Sequence, residues 1–428
     1  MAPLIDHPRR YELSNELHAR PFPEVGTNAR AAYLAIRASG DAARRDRDLD
    51  RAHLLSLLDR YGAAHPAPGA THYIGPLGKY RLKWESHTEF VTYTIFADGV
   101  ADRAFDKGTF DLFPEEWLAE APGQRITSAL IRVETVATDE DIVLRVDNWF
   151  ERESLACSRV LDGAIVVASD FRIDEAGHIR FALFPAPDCG QRRIGRVLQR
   201  LCEIETYKTV SMLGLIQARS VVSELAVIEK ELSEIMTTLT SKSETPIESL
   251  LEDILGLSTR IEEMVTKTNF RFGATGAYEA IVTQRIEVLR ESRFMARQLF
   301  GEFMMRRYDP AMRTVKAAKG QLESLAERTA RAANLLRTKV DVGRQEQNQR
   351  VLESMDRRAD LQLRLQETVE GLSVVAISYY AVSLVGYVIY PLLKPLGMSK
   401  GVALAMATPV VVLAVWMGLK RIKKTHLG

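Results

Sequence analysis

The sequence predicts an α+β (αβα-like) N-terminal cytoplasmic domain, a long helical stalk and two C-terminal transmembrane helices. Three observations predict it. Short runs rich in β-branched and aromatic residues are confined to the first 190 positions. After Gly190 the apolar period becomes helical and proline becomes sparse. Two uncharged apolar runs, at about 372–393 and 402–419, lie near the C-terminus and bracket a loop carrying Lys394 and Lys400. The expected domains are 1–190, an α/β domain; 191–370, a stalk or bundle; and 371–428, a membrane hairpin with a basic tail.

Each element has its own signal. Asn28 to Ala38 reads as a helix, and Asp48 to Tyr61 as a second one with a leucine stripe, ended by Pro66, Pro68 and Gly69. Strands are expected at Tyr80–Trp84, Phe90–Phe96, Ile126–Val133, Ile142–Val146, Ala164–Ala168 and Ile179–Phe184. A short helix begins in Phe113–Trp117, and Asp174–Gly177 forms a hairpin turn. Parallel βαβ units are not clearly signalled. Gln191 to Glu244 is proline-free and helical, and Thr245-Pro246 opens a new helix. The stretch Lys267–Gly276 is expected to break it, with a third helix over about 277–307. Asp309-Pro310 opens a fourth, which continues without proline to Pro391 and so into the first span. Eighty residues at 1.5 Å each extend roughly 120 Å, a length that calls for partner helices.

Charge and composition narrow the function. Lys plus Arg is 57 and Asp plus Glu is 56, a net charge of +1, so no overall field gathers nucleic acid. Cys157, Cys189 and Cys202 share no metal-type spacing and fit a reducing compartment. No secretory signal is visible at the start. Arg350, Arg357, Arg358 and Arg364 precede the first span, and Lys420, Arg421, Lys423 and Lys424 follow the second. This bias places both termini in the cytoplasm and the 394–400 loop outside. The phosphate loop, the Gly-x-Ser-x-Gly elbow, His-Glu-x-x-His and Cys-x-x-Cys are all absent from the sequence, and no enzymatic activity is expected.

The residues that carry candidate chemistry fall into two groups. In the first span, Tyr379, Ser383, Tyr387 and Tyr390 share one helical face, which either packs the hairpin or lines a pore. In the soluble part, Glu16 with His18, and His87 with Glu89, have same-face strand spacing, and Asp170 stands at a strand end. Each is a cytoplasmic ligand candidate or a structural ion pair. Glu203, Glu205, Glu224, Glu231 and Glu234 on the first stalk helix either hold Mg²⁺ between subunits or form a solvated face.

Several longer runs carry a resemblance. They are Asn15–Phe22, His87–Phe90, Val167–Arg172, Gln199–Tyr207, Arg306–Thr314 and, above all, Gln366-Glu-Thr-Val-Glu-Gly-Leu-Ser-Val-Val-Ala-Ile-Ser-Tyr-Tyr380. With these the chain resembles a bacterial family of uncharacterised membrane-anchored proteins, the domain of unknown function 3422. That resemblance implies a place in the bacterial inner membrane but no activity. In layout alone the chain is also similar to the CorA-type divalent cation channels, which are pentamers. Gly397-Met398-Ser399 stands where that family has Gly-Met-Asn. The likeness implies a homo-oligomer conducting Mg²⁺ or another divalent cation. The alternative is a membrane-anchored scaffold or signalling protein whose cytoplasmic domain binds a partner.

Overall fold

The computed structural model describes residues 4–16, 22–40, 44–241, 245–393 and 399–426. The chain divides into two compact units, one of residues 1–245 with 252–332 and one of 246–251 with 333–428.

The first unit is built on a mixed sheet. After a short helix α1 (Arg10–Glu16) come β1 (Ala29–Arg37), α2 (Arg47–Arg60), β2 (His72–Leu77), β3 (Tyr80–Ser86) and β4 (Phe90–Asp98). A 3-10 turn at Lys107–Leu112 leads to α3 (Glu115–Ala119), β5 (Gln124–Val133), α4 (Asp139–Trp149), β6 (Ala156–Val160), β7 (Ile165–Ser169) and β8 (Ile179–Pro185). A two-residue edge strand, β9 (Ser292–Arg293), completes nine strands in the order β2-β3-β4-β1-β5-β8-β7-β6-β9. The β5–β8 pair is parallel and the other pairs are antiparallel.

Two elements correct the sequence reading. Residues 28–38 form no helix: β1 is the central strand, paired with β4 on one side and β5 on the other. Its residues from Ala31 to Ile36 are all buried, and a strand covered on both faces loses its alternation and reads as a continuous apolar run. Ile142–Val146, expected as a strand, lies in α4. Thr138 caps that helix, its Oγ1 accepting from Asp141 N at 3.1 Å, and Ile142 and Val146 are buried one turn apart. The other expected strands are present, and the Asp174 turn closes with Gly177 N donating to Asp174 O at 2.9 Å. Gly177 holds φ +89° there, a left-handed conformation that favours glycine.

One face of the β2–β1 half packs on α2 and α3, with Leu54, Leu57, Leu58, Trp84, Tyr93 and Trp117 at its centre. A second core, around Val146, Phe150, Phe184 and Phe294, lies beneath α4. The long α5 (Gln191–Thr240) lies against β5 and β8. A third correction concerns α6 (Ile247–Glu287), which passes through 267–276 unbroken. The helical path stops instead after Glu287, resumes as α7 (Phe300–Arg307), and continues as α8 (Asp309–Leu393). A Cβ at Gly214 of α5 would sit 2.2 Å from Thr275 Oγ1 of α6, so glycine sets the close approach of these helices.

In the second unit, α8 is unbroken to Leu393, and α9 (Lys400–His426) follows. The hairpin packs through small residues. Ser378, Gly386 and Ala403 are buried, and a Cβ at Gly386 would lie 3.2 Å from Leu404 Cδ1. Residues 341–369 are exposed throughout.

By length and composition three helices, α5, α8 and α9, are apolar enough to cross a membrane, where the sequence reading counted two. The apolar ends of α8 and α9 support membrane association. The third candidate, α5, leaves Ile216, Val222 and Val227 exposed but buries one apolar stripe. Val210, Leu215, Ala218, Leu225 and Ile228 are buried, which is the pattern of a core helix.

Candidate functional site

His87, Thr88 and Glu89 connect β3 to β4. His87 N donates to Phe90 O at 2.9 Å, so these residues form a tight turn. The expected strand face shared by His87 and Glu89 therefore does not exist. Arg45 fastens the turn from outside, donating to His87 O at 2.7 Å and to Phe90 O at 3.1 Å while pairing with Asp50 at 2.6 Å. The two side chains separate. His87 is half-buried, stacked on Phe90 with ring centroids 4.5 Å apart, and its Nδ1 lies 3.3 Å from the Tyr207 hydroxyl. Glu89 is fully buried.

Glu89 is the hub of an ion cluster that joins the sheet to α6. Arg271 grips it with both guanidinium nitrogens, Nη1 to Oε1 at 3.1 Å and Nη2 to Oε2. The Tyr278 hydroxyl donates to Oε1 at 2.9 Å, and Arg37 Nη2 of β1 approaches Oε2 at 3.4 Å. Burial and the adjacent carboxylate push the Tyr278 phenol well above its ordinary pKa, which keeps it a donor. With two guanidiniums and a phenol on two oxygens, this carboxylate is a latch and not a free base. Arg271, Tyr278 and Arg37 were not read from the sequence. Arg271 stands 182 residues from Glu89, and no local pattern links them.

Beside the latch the sheet turns a polar face to α5. Lys83 Nζ pairs with Glu85 at 3.1 Å and donates to Gln199 at 2.6 Å; Gln199 donates to Glu203 at 2.7 Å, and Arg285 pairs with Glu203. Tyr33 OH and Thr206 Oγ1 are 2.5 Å apart. The cleft they line has room for about one water. Cys202 on its wall is pushed high by burial, and the Cys157 thiol elsewhere is pushed up to about 12 for the same reason, so neither is an activated nucleophile.

The remaining candidates are spread across the chain. Asp170 is buried, pairing with Arg180 at 2.8 Å and accepting from Glu151 N and Arg172 N at 3.1 and 3.2 Å. The acidic residues of α5 are paired too: Glu205 with Lys208 at 2.7 Å, Glu224 and Glu231 with Arg260 at 3.9 and 2.6 Å, and Glu234 with Lys230 at 3.7 Å. Glu16 ends α1, but its side chain, all of His18, Gly397 and Met398, and the Tyr390 side chain lie outside the described residues. Ser399 immediately precedes α9, its carbonyl accepting from Val402 N at 3.1 Å and Ala403 N at 3.2 Å. Tyr379 and Tyr387 are 70% and 75% exposed, and Ser383 is half-exposed, so most of this face is uncovered. Among the described residues no three His, Cys, Asp or Glu side chains gather into a metal-holding group.

The family model described as "Protein of unknown function (DUF3422)" matches residues 5–426. The chain belongs to the DUF3422 family. No curated protein and no solved structure matches it. The family match spans both units and so covers the latch and the hairpin alike.

Proposed function

We propose that this DUF3422 protein is a membrane-anchored scaffold of the bacterial inner membrane. Its α/β unit meets a cytoplasmic partner, and its hairpin serves as the anchor. One observation carries the reading: the ionisable groups of the candidate site are spent on one another. Glu89 is held by Arg271, Tyr278 and Arg37, and the neighbouring cleft is closed to about one water. A unit whose buried charges hold one another in this way keeps a fixed surface to present to a partner. The spans point the same way, since 371–393 and 401–419 hold no Asp, Glu, Lys, Arg or His for a proton or charge relay.

A second reading, divalent cation conduction, is favoured by the uncovered hydroxyls of Tyr379, Ser383 and Tyr387. A flux assay separates the two. Purified full-length protein in liposomes passes no Mg²⁺, Co²⁺ or Ni²⁺ above empty liposomes on the scaffold reading. A saturable flux that Ser383→Leu reduces would establish conduction instead. In cells, the full chain stays with membranes after a carbonate wash, and removing 371–428 releases it.

A further inference from the structure

We infer that α8 assembles three or more copies of this chain side by side and in parallel, through one face that runs from the water-exposed helix into the membrane. With residues spaced about 100° apart around a helix, Met355, Leu365, Val369 and Leu372 lie within an arc of about 100°. They are 54–66% exposed. The charges Glu353, Asp356, Arg357, Asp360, Arg364 and Glu367 fall on the opposite side, with Glu370 at its edge. Continuing the same count past Gly371 brings Tyr379, Ser383 and Tyr387 onto the apolar side. Two environments thus share one uncovered stripe: apolar side chains where the helix is in water, hydroxyls where it is in hydrocarbon. Each is on the costly side of its own boundary.

The helix's own hairpin partner lies elsewhere. The buried Ser378 and Val374, which borders α9 residues, fall on the far side by the same count, and Gly386, which meets Leu404 of α9, falls at the border about 90° from the centre of the stripe. From α9, Lys400 Nζ reaches the stripe, 5.6 Å from the Tyr387 ring centroid. An occupant must therefore be a helix that also passes from water into the bilayer, in the same direction and at the same height. A second copy meets all three conditions without adjustment, because the hairpin fixes its height. Of the positions that flank the stripe, Ala359, Gln366 and Thr368 are uncharged, and Arg350 and Glu370 carry opposite charges on opposite flanks. A face of about 100° has room for a neighbour on each side, as a closed ring requires.

Arg358 lies on the apolar side. In a parallel ring every copy brings its Arg358 to the same level, where like charges repel. A lone polar residue in such a seam costs stability and fixes register. The ring should thus tighten when Arg358 becomes apolar, and tighten with salt, which screens the repulsion.

The test uses full-length protein in nanodiscs, whose own Cys157, Cys189 and Cys202 are buried and give little background. Val369→Cys should cross-link between copies under mild oxidation at least tenfold faster than Asp360→Cys, which stands on the charged side. Native mass measurement should count three or more chains, and Arg358→Leu should lower the concentration at which the assembly half-dissociates about tenfold. Equal cross-linking at the two positions, or a monomer or dimer by mass, overturns the inference. A weaker assembly with Arg358→Leu removes that residue from the seam. A monomer that still resists carbonate extraction refutes the ring and leaves the anchor reading intact.

Discussion

Replacing Glu89 with alanine removes the carboxylate that two elements of the α/β unit share. Its side chain is 0% exposed, that of Arg271 10% and that of Arg37 19%, so both guanidiniums stay largely out of water when their counter-charge goes. Breaking a buried pair from one side costs about 3–5 kcal/mol, mainly because the surviving charge is uncompensated. The Tyr278 hydroxyl, bonded at 2.9 Å, loses its acceptor as well. We take about 4 kcal/mol for the whole, since members of one network do not add. For a unit of roughly 330 residues, with an unfolding entropy of about 2.1 cal/mol/K per residue, the melting temperature should fall by about 6 °C. The assay is thermal unfolding of the full-length protein in detergent, followed by the fluorescence of the buried Trp84 and Trp117. Glu89→Ala combined with Arg271→Met should recover part of the loss, because apolar replacement of both partners is far less costly than leaving one charged. A Glu89→Ala protein that melts within about 1 kcal/mol of wild type would refute the latch.

Other consequences follow from particular contacts. Burial lowers the pKa of His53 and of His178, so below pH ~6.5 the unfolded chain takes up protons that the native chain refuses. Stability should therefore be level above that pH and fall as pH drops toward the native values; an unchanged slope in a His53→Gln/His178→Gln variant contradicts this. A Cβ at Gly195 would lie 1.7 Å from the carbonyl oxygen of Pro23, so Gly195→Ala should dislodge the segment held there by Val25 N to Gln191 O at 3.1 Å. Faster tryptic cleavage within the first 30 residues is the expected result, and an unchanged digest the contrary one. Gly214→Ala forces Thr275 aside and should cost about 1–3 kcal/mol, read as a lower melting temperature of the α/β unit.

What the sequence disclosed and what it hid have physical causes. Strands β3, β4, β5, β7 and β8 announce themselves through aromatic and β-branched residues, which suit a pleated surface. The alanine-rich β1 has helix-forming composition, and only its place between two strands overrides it. α4 shows Ile-Val-Leu and Val, strand-like in isolation, while its helix signal is the Thr138 cap just before it. Gly273 and Gly276 suggested a break in α6, yet both have open space around them, and the helix is held by its buried neighbours Phe272 and Thr275. The unbroken α8 was legible because a proline-free run is a local property. Glu89 was singled out, but for the wrong geometry: period-two spacing suggests a strand face, and it took the three-residue turn to aim His87 and Glu89 apart. Its partners lie far along the chain, where only the fold brings them near.

Cysteine labelling in intact cells tests most directly the claim that the hairpin anchors the protein with both ends on one side. Ser399 and Lys420 flank the apolar part of α9, 21 residues or about 32 Å apart, close to the ~30 Å of a hydrocarbon core. An impermeant thiol reagent should modify Ser399→Cys and leave Lys420→Cys untouched until the membrane is opened. Modification of both before opening, or of Lys420→Cys alone, would contradict the account.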